Sequence, residues 1–185
     1  MSSQASGAAS EVLASWLARE REVLAALENG SVNGFTRPQD AAHLTGLQMM
    51  QGMLSGQYPN ARIQQTLDFL PVEITEGYAV FQGAPGPNHM NPMGGIHGGW
   101  YSTLLDSAMG CAVHTRLPAG RGYTTAELSV NIVRAIGDKA LRVRAEGRVL
   151  HCGRQLATAE GRLVGPDGTL YAHATTTCLV FELGR

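Results

Sequence analysis

Residues 88–110 read NHMNPMGGIHGGWYSTLLDSAMG, and the interpretation of the chain turns on this stretch. From Gly98 to Val113 the pattern GGWYSTLLDSAMGCAV predicts a helix. At ~100° per residue, Tyr101, Leu104, Leu105, Ala108, Cys111 and Ala112 gather on one side. Asp106 points almost opposite, with Ser102, Met109 and Gly110 nearer to it. One face therefore feeds a core, while the other carries a lone carboxylate among small neighbours. Two helical turns earlier, His97-Gly98-Gly99 opens the helix, where backbone N–H groups lack intrahelical partners beside the positive end of the dipole. Glycine at 98 and 99 lets a ligand approach that backbone with no Cβ in the way. Acyl transfer needs an oxyanion donor and a base or nucleophile on one small site. A helix N-terminus with a carboxylate further along the helix could supply both. The same spacing also suits a solvated helix aspartate beside turn-shaping glycines.

Outward from this helix the patterning changes. Residues 141–149, LRVRAEGRV, alternate Leu141, Val143, Ala145, Gly147 and Val149 with Arg142, Arg144, Glu146 and Arg148, the period-2 mark of a half-buried antiparallel strand. A further strand is expected over 154–164, a turn at Gly165-Pro166-Asp167-Gly168, and a returning strand over 169–182. On the N-terminal side, strand character starts near Thr66. Residues 76–82 form a turn and a short apolar run, and 83–95 form a long loop rich in Gly, Pro and Asn. Before that, residues 1–9 are expected to fray. A helix is expected from Ser10 to Asn29, capped by Ser10, with Val12, Leu13, Trp16, Leu17, Val23, Leu24 and Leu27 on one stripe. After a break around 30–38, a second helix is expected over Asp40–Ser55, with Leu44, Leu47 and Leu54 inward and Gly56 past its end. The whole reads as an N-terminal helical extension (1–60) before an α+β domain (61–185) whose consecutive antiparallel strands hold the helix on their concave side.

Composition narrows the classes. The 185 residues suit one domain with an appendage; 44% are hydrophobic and 16% charged. Apolar runs fall well short of the roughly 18 residues a membrane span needs. The first residues, MSSQASGAASEVLASW, lack a basic n-region and an apolar h-region, so a cytoplasmic protein is expected. A net charge of −1 argues against a nucleic-acid partner. Cys111, Cys152 and Cys178 are dispersed and form no CxxC pair, so neither a disulfide framework nor a zinc ribbon is expected.

The run NPMGGIHGGWYSTLLD (91–106) resembles the motif of the PaaI-type (phenylacetate-pathway) hotdog thioesterases. The resemblance continues into YTTAELSVNIVRA (123–135), VLHCGRQLATAEGRLVGPDG (149–168) and LYAHATTTCLVF (170–181), and LTGLQMMQGMLSG (44–56) is similar to the leader of some members. It implies a hotdog fold, an antiparallel sheet wrapped around a long central helix, and hydrolysis of an acyl-CoA with an aryl or medium-chain acyl group. On this resemblance Asp106 is the general base or nucleophile, and the Gly98 amide is the oxyanion donor. His97 orients the loop beside it, and Asn91 helps hold the lytic water or the carboxylate. Thr124 or Thr125, with Thr125 preferred, brings a hydroxyl to the thioester from the other subunit. Gly99 lies against the substrate, and Arg148, His151 and Arg154 are candidates for the CoA phosphates. The resemblance further implies a homodimer with shared active sites, often paired into a homotetramer, and no cofactor beyond the CoA of the substrate.

Other constellations are weaker. His89 and His97 could pair on a metal, but no third ligand has suitable spacing, and no metal is expected. Ser102 and Ser107 lack a GxSxG elbow. His151 and Cys152 are strand neighbours whose side chains point to opposite faces. Met49, Met50 and Met53 suit a core or an acyl pocket. The competing functions are a hotdog acyl-CoA hydratase or dehydratase and a non-catalytic acyl-CoA-binding module.

Overall fold

The computed structural model describes residues 2–28, 30, 34–137 and 140–183. Helices α1 (Ser2–Glu28), α2 (Pro38–Ala41), α3 (Gly46–Leu54) and α4 (Arg62–Thr66) precede strands β1 (Phe69–Thr75) and β2 (Tyr78–Gly83). Helix α5 (Gly98–His114) follows, then β3 (Arg121–Ile132), β4 (Val143–Cys152), β5 (Leu156–Val164) and β6 (Leu170–Glu182). The six strands form one sheet in the order β1-β2-β4-β5-β6-β3, and every described pairing is antiparallel.

The sheet wraps α5 because its inner face is small. Ala79, Ala145, Ala157, Ala159 and Ala172 are fully buried there, opposite the equally buried Leu104, Leu105, Ala108, Met109, Ala112 and Val113 of the helix. Large helix side chains thus meet small strand side chains, which gives close packing without voids. At Gly147 the approach is closest: a Cβ there would stand 2.4 Å from the Ala108 carbonyl carbon, so only glycine fits. Met109 and Gly110 are buried and Cys111 is half-buried, so the core face of α5 is wider than the periodicity suggests. A sheet that curls around a helix touches more than one of its sides.

The consecutive-strand order expected from the sequence is corrected at β3. Helix α5 crosses the concave face and delivers the chain to the far edge, where β3 pairs with β6 rather than β4. The turn at Gly165–Gly168 is present, closed by the Gly168 amide donating to the Gly165 carbonyl at 3.0 Å. Two helical expectations also change. Helix α1 begins at Ser2 rather than Ser10, in keeping with the helix propensity of Ala5, Ala8 and Ala9; the expected stop at Asn29 lies outside the described residues, as do 31–33 of the break. The expected 40–55 helix is two pieces, because Thr45 and Gln48 form a capping box that starts α3 afresh. Gly56 follows α3 with φ +77, as its position past the helix end requires.

Helix α1 lies on the outer face of β2 and β4. Trp16 and Val23 are buried, whereas Val12 and Leu24 of the expected stripe stay exposed. Polar contacts join the layers: Arg142 donates twice to Glu20, Gln82 donates to Glu20, Arg144 donates to Gln82, and the Arg144 guanidinium sits 4.4 Å above the Trp16 ring. The Arg142 hydrogen bond, against the opposing effect of burial, holds the Glu20 carboxyl below its ordinary value of 4.5. A carboxylate with a depressed folded-state pKa contributes stability that is present above 4.5 and is lost as pH falls through the folded value. Acidification is therefore expected to release α1 before the sheet unfolds, seen as a shift in Trp16 emission. Glu20→Gln should mimic that release at neutral pH, with proteolysis at Arg19 and Arg21 accelerated about tenfold. Unchanged cleavage would show that the apolar contacts alone hold α1.

Candidate active site

The first turn of α5 is organised by His97. Its φ of −65° and ψ of 136° are those of an N-cap, and its Nδ1 accepts the Gly99 amide at 2.9 Å. Nδ1 is then unprotonated, and the ring proton sits on the outward Nε2. Glycine at 99 leaves room for this cap, since a Cβ there would lie 3.1 Å from the His97 Nδ1. Among the described residues the Gly98 amide has no acceptor, so it is available at the positive end of the helix. Asn91 shapes the preceding loop: its Oδ1 accepts the Met93 and Gly95 amides at 2.9 and 3.2 Å. Its Nδ2 donates no hydrogen bond among the described residues.

Asp106, half-buried, stands two turns further along α5. The Thr125 hydroxyl donates to its Oδ1 at 2.9 Å. Thr125 reaches it because β3 places alternate residues inward, opposite Cys178 of β6. Thr124, opposite Leu179, is exposed on the other face. Thr125 and Asp106 thus meet within one chain, because the strand that follows α5 runs back alongside it.

Gly98 and Asp106 do not converge within one chain. Eight residues at 1.5 Å each separate them by ~12 Å along the helix axis, too far to hold opposite ends of one small carbonyl. Within one chain, the amide-rich helix start and the hydroxyl-anchored carboxylate therefore stand apart.

Around the carboxylate are groups that the sequence did not reveal. Burial, with Asp106 nearby, pushes the Cys111 thiol up to about 12. Burial likewise raises the Cys178 thiol and the Tyr123 phenol. All three stay protonated at neutral pH, so they are donors rather than nucleophiles. The only available signal was the two-residue spacing of Tyr123 and Thr125, which puts both on one strand face. Cys178 comes close only through the β3–β6 register.

The remaining candidates lie elsewhere. Arg148 packs 5.3 Å from the Tyr78 ring centroid on the outer sheet face, and shares a cleft of about 330 Å³ with His151 and Arg116. Arg154 lies in the β4–β5 turn, where its carbonyl accepts from Arg121. Asp106 lies across the sheet from Arg148, so one chain does not bring these groups together. Among the described residues no cluster of His, Cys, Asp or Glu could hold a metal, and no helix is long and apolar enough to cross a membrane.

The thioesterase superfamily matches residues 93–172, a span running from the loop before α5 into β6. A conserved protein of Pseudomonas aeruginosa superposes with a TM-score of 0.61 at 28% identity, covering 65% of this chain and 94% of that one. A mutant of the phenylacetic acid degradation protein PaaI from Thermus thermophilus gives 0.58 at 28%, covering 64% and 97%. A thioesterase family protein from Silicibacter pomeroyi gives 0.64 at 22%, covering 74% and 98%, a likeness of fold alone. No curated protein matches the chain. In the matched sequence and in the sheet wrapped around α5, the chain is similar to the thioesterase superfamily and to hotdog-fold thioesterases, hydrolases that act on thioesters.

Proposed function

We propose that this protein hydrolyses an aryl- or medium-chain acyl-CoA in a site completed by two copies of the chain. The observation that carries this reading is the Thr125–Asp106 hydrogen bond, with its carboxylate ~12 Å from the available Gly98 amide of the same helix. A second copy can bring its own Gly98 to the first copy's Asp106. The unpaired edge of β3, a strand of 12 residues, offers the line along which the copies would join.

In the assembled site the thioester oxygen accepts from the Gly98 amide, which stabilises the negative charge of the tetrahedral intermediate. Asp106 has Oδ1 anchored by Thr125, so Oδ2 takes a proton from water as that water attacks the carbonyl. The C–S bond then breaks and the CoA thiolate leaves, taking up the proton. Asn91 Nδ2 and His97 Nε2 are the donors that would hold the water and the acyl region. The thiolate is a good leaving group, so a carboxylate of modest basicity suffices.

The decisive experiment is thiol release over short, medium, long and aromatic acyl-CoAs. Turnover names the acyl class. Water addition to an enoyl-CoA without thiol release would move the protein to the hydratases, and binding without either reaction would make it a carrier module. Thr125→Val keeps the shape but deletes the hydroxyl, and should lower kcat about tenfold, whereas Thr125→Ser should recover most of it. Equal rates for all three would remove Thr125 from the site.

A further inference from the structure

The loop between β2 and α5 carries both Asn91 and His97, and its rigidity sets where the Gly98 amide points. Its buried centre is His89, which the mechanism above does not use. The His89 side chain is 1% exposed and stacks on Trp100 in the first turn of α5, with ring centroids 5.6 Å apart at 25°. Its backbone carbonyl accepts the His97 amide at 2.7 Å, immediately before Gly98. Its Nδ1 accepts the Gly86 amide at 3.1 Å, which places the ring proton on Nε2. Nε2 is buried, has no hydrogen-bond partner among the described residues, and lies 3.6 Å from Asp68 Oδ2. Asp68 stands at the entrance to β1 with φ +49, and its carbonyl accepts the Ala84 amide at 2.9 Å, at the start of the same loop.

Packing alone does not account for an imidazole here. Phenylalanine would fill the same space and stack on Trp100 without burying an unpaired N–H. The two ring nitrogens instead reach the two ends of the device: Nδ1 holds the start of the loop, and Nε2–H faces a carboxylate on a different element. The gap exceeds a hydrogen bond by only about 0.4 Å, a distance the loop can close when substrate seats against it.

We propose that His89 is a positioning residue: with Asp68 it locks the loop that aligns the Gly98 amide and Asn91, the bond to Asp68 closing as substrate binds. This rests on the thioesterase reading for its catalytic consequence, but not for its effect on the loop. The step moves no proton between molecules; it converts a facing pair into a hydrogen bond.

The test uses the full-length protein. His89→Phe keeps volume and stacking but loses both nitrogens. His89→Asn keeps an acceptor at the Nδ1 position, and Asp68→Ala removes the carboxylate. Expected for His89→Phe is a kcat lowered between about tenfold and a hundredfold, with KM within about twofold. Partial recovery is expected in His89→Asn, and a loss resembling that of His89→Phe in Asp68→Ala. Hydrogen exchange of the amides at 90–99 should quicken in His89→Phe, while the buried turns of α5 exchange as in the wild type. The proposal is overturned by wild-type kcat in a folded His89→Phe, by a rise in KM alone, or by unchanged exchange. If the wild type turns over no acyl-CoA, the functional reading fails by itself, and the exchange measurement still decides the role of His89. A His89→Phe variant that does not fold leaves the decision to Asp68→Ala, whose carboxylate is mostly exposed.

Discussion

Asp106→Asn is expected to lower kcat for thioester hydrolysis by about a thousandfold, with KM nearly unchanged and the fold intact. The fold should survive because asparagine retains an oxygen at the Oδ1 position, where the Thr125 hydroxyl donates. What is lost is the basic Oδ2, replaced by an amide that cannot take a proton from water. Tyr123, Cys111 and Cys178 offer no substitute, since burial keeps each of them protonated. Thiol release alongside a thermal melt reads both quantities. Turnover that survives the substitution would remove Asp106 from the chemistry, whatever the fold.

Two inactive variants should restore activity when they are made together. Gly98→Pro deletes the oxyanion N–H at the first position of α5, where proline suits the helix. His97, at φ −65° and ψ 136°, already has the conformation that a following proline requires. Alone, this change should cost between about a hundredfold and a thousandfold in kcat. In a symmetric dimer, co-expression with Asp106→Asn makes about half the molecules mixed, and each mixed dimer has one site with both lesions and one with neither. The expected activity is therefore about a quarter of the wild type, far above either parent. No recovery in demonstrably mixed dimers would mean that Gly98 and Asp106 do not serve the same site, and the two-copy arrangement would fail.

The central helix was legible because its signals are local. His97 caps it, glycines follow, and apolar residues recur at helical spacing; the structure begins α5 at Gly98 and ends it at His114, one residue beyond the expected Val113. Strands β4, β5 and β6 were legible for the same reason, since alternation such as Val143, Ala145 and Gly147 against Arg144, Glu146 and Arg148 records a buried and an exposed face. The N-terminal helices were legible in kind but not in extent. A capping box decides a boundary only if neighbouring contacts favour the break, and the start of α3 is fixed by the Gly46 amide donating to the Leu117 carbonyl at 2.9 Å.

By itself, then, the sequence determined the α5 helix, the faces of its strands, and the candidacy of Asp106 on the helix that His97 caps. Only the tertiary structure decided that β3 lies at the far edge, that Thr125 rather than Thr124 meets Asp106 in the same chain, and that His89 is buried against Trp100 and faces Asp68. The reason is physical. Periodicity and caps record what each residue does within a few neighbours, whereas partners such as Thr125 and Cys178 lie far apart along the chain and are chosen by how sheet and helix close on one another.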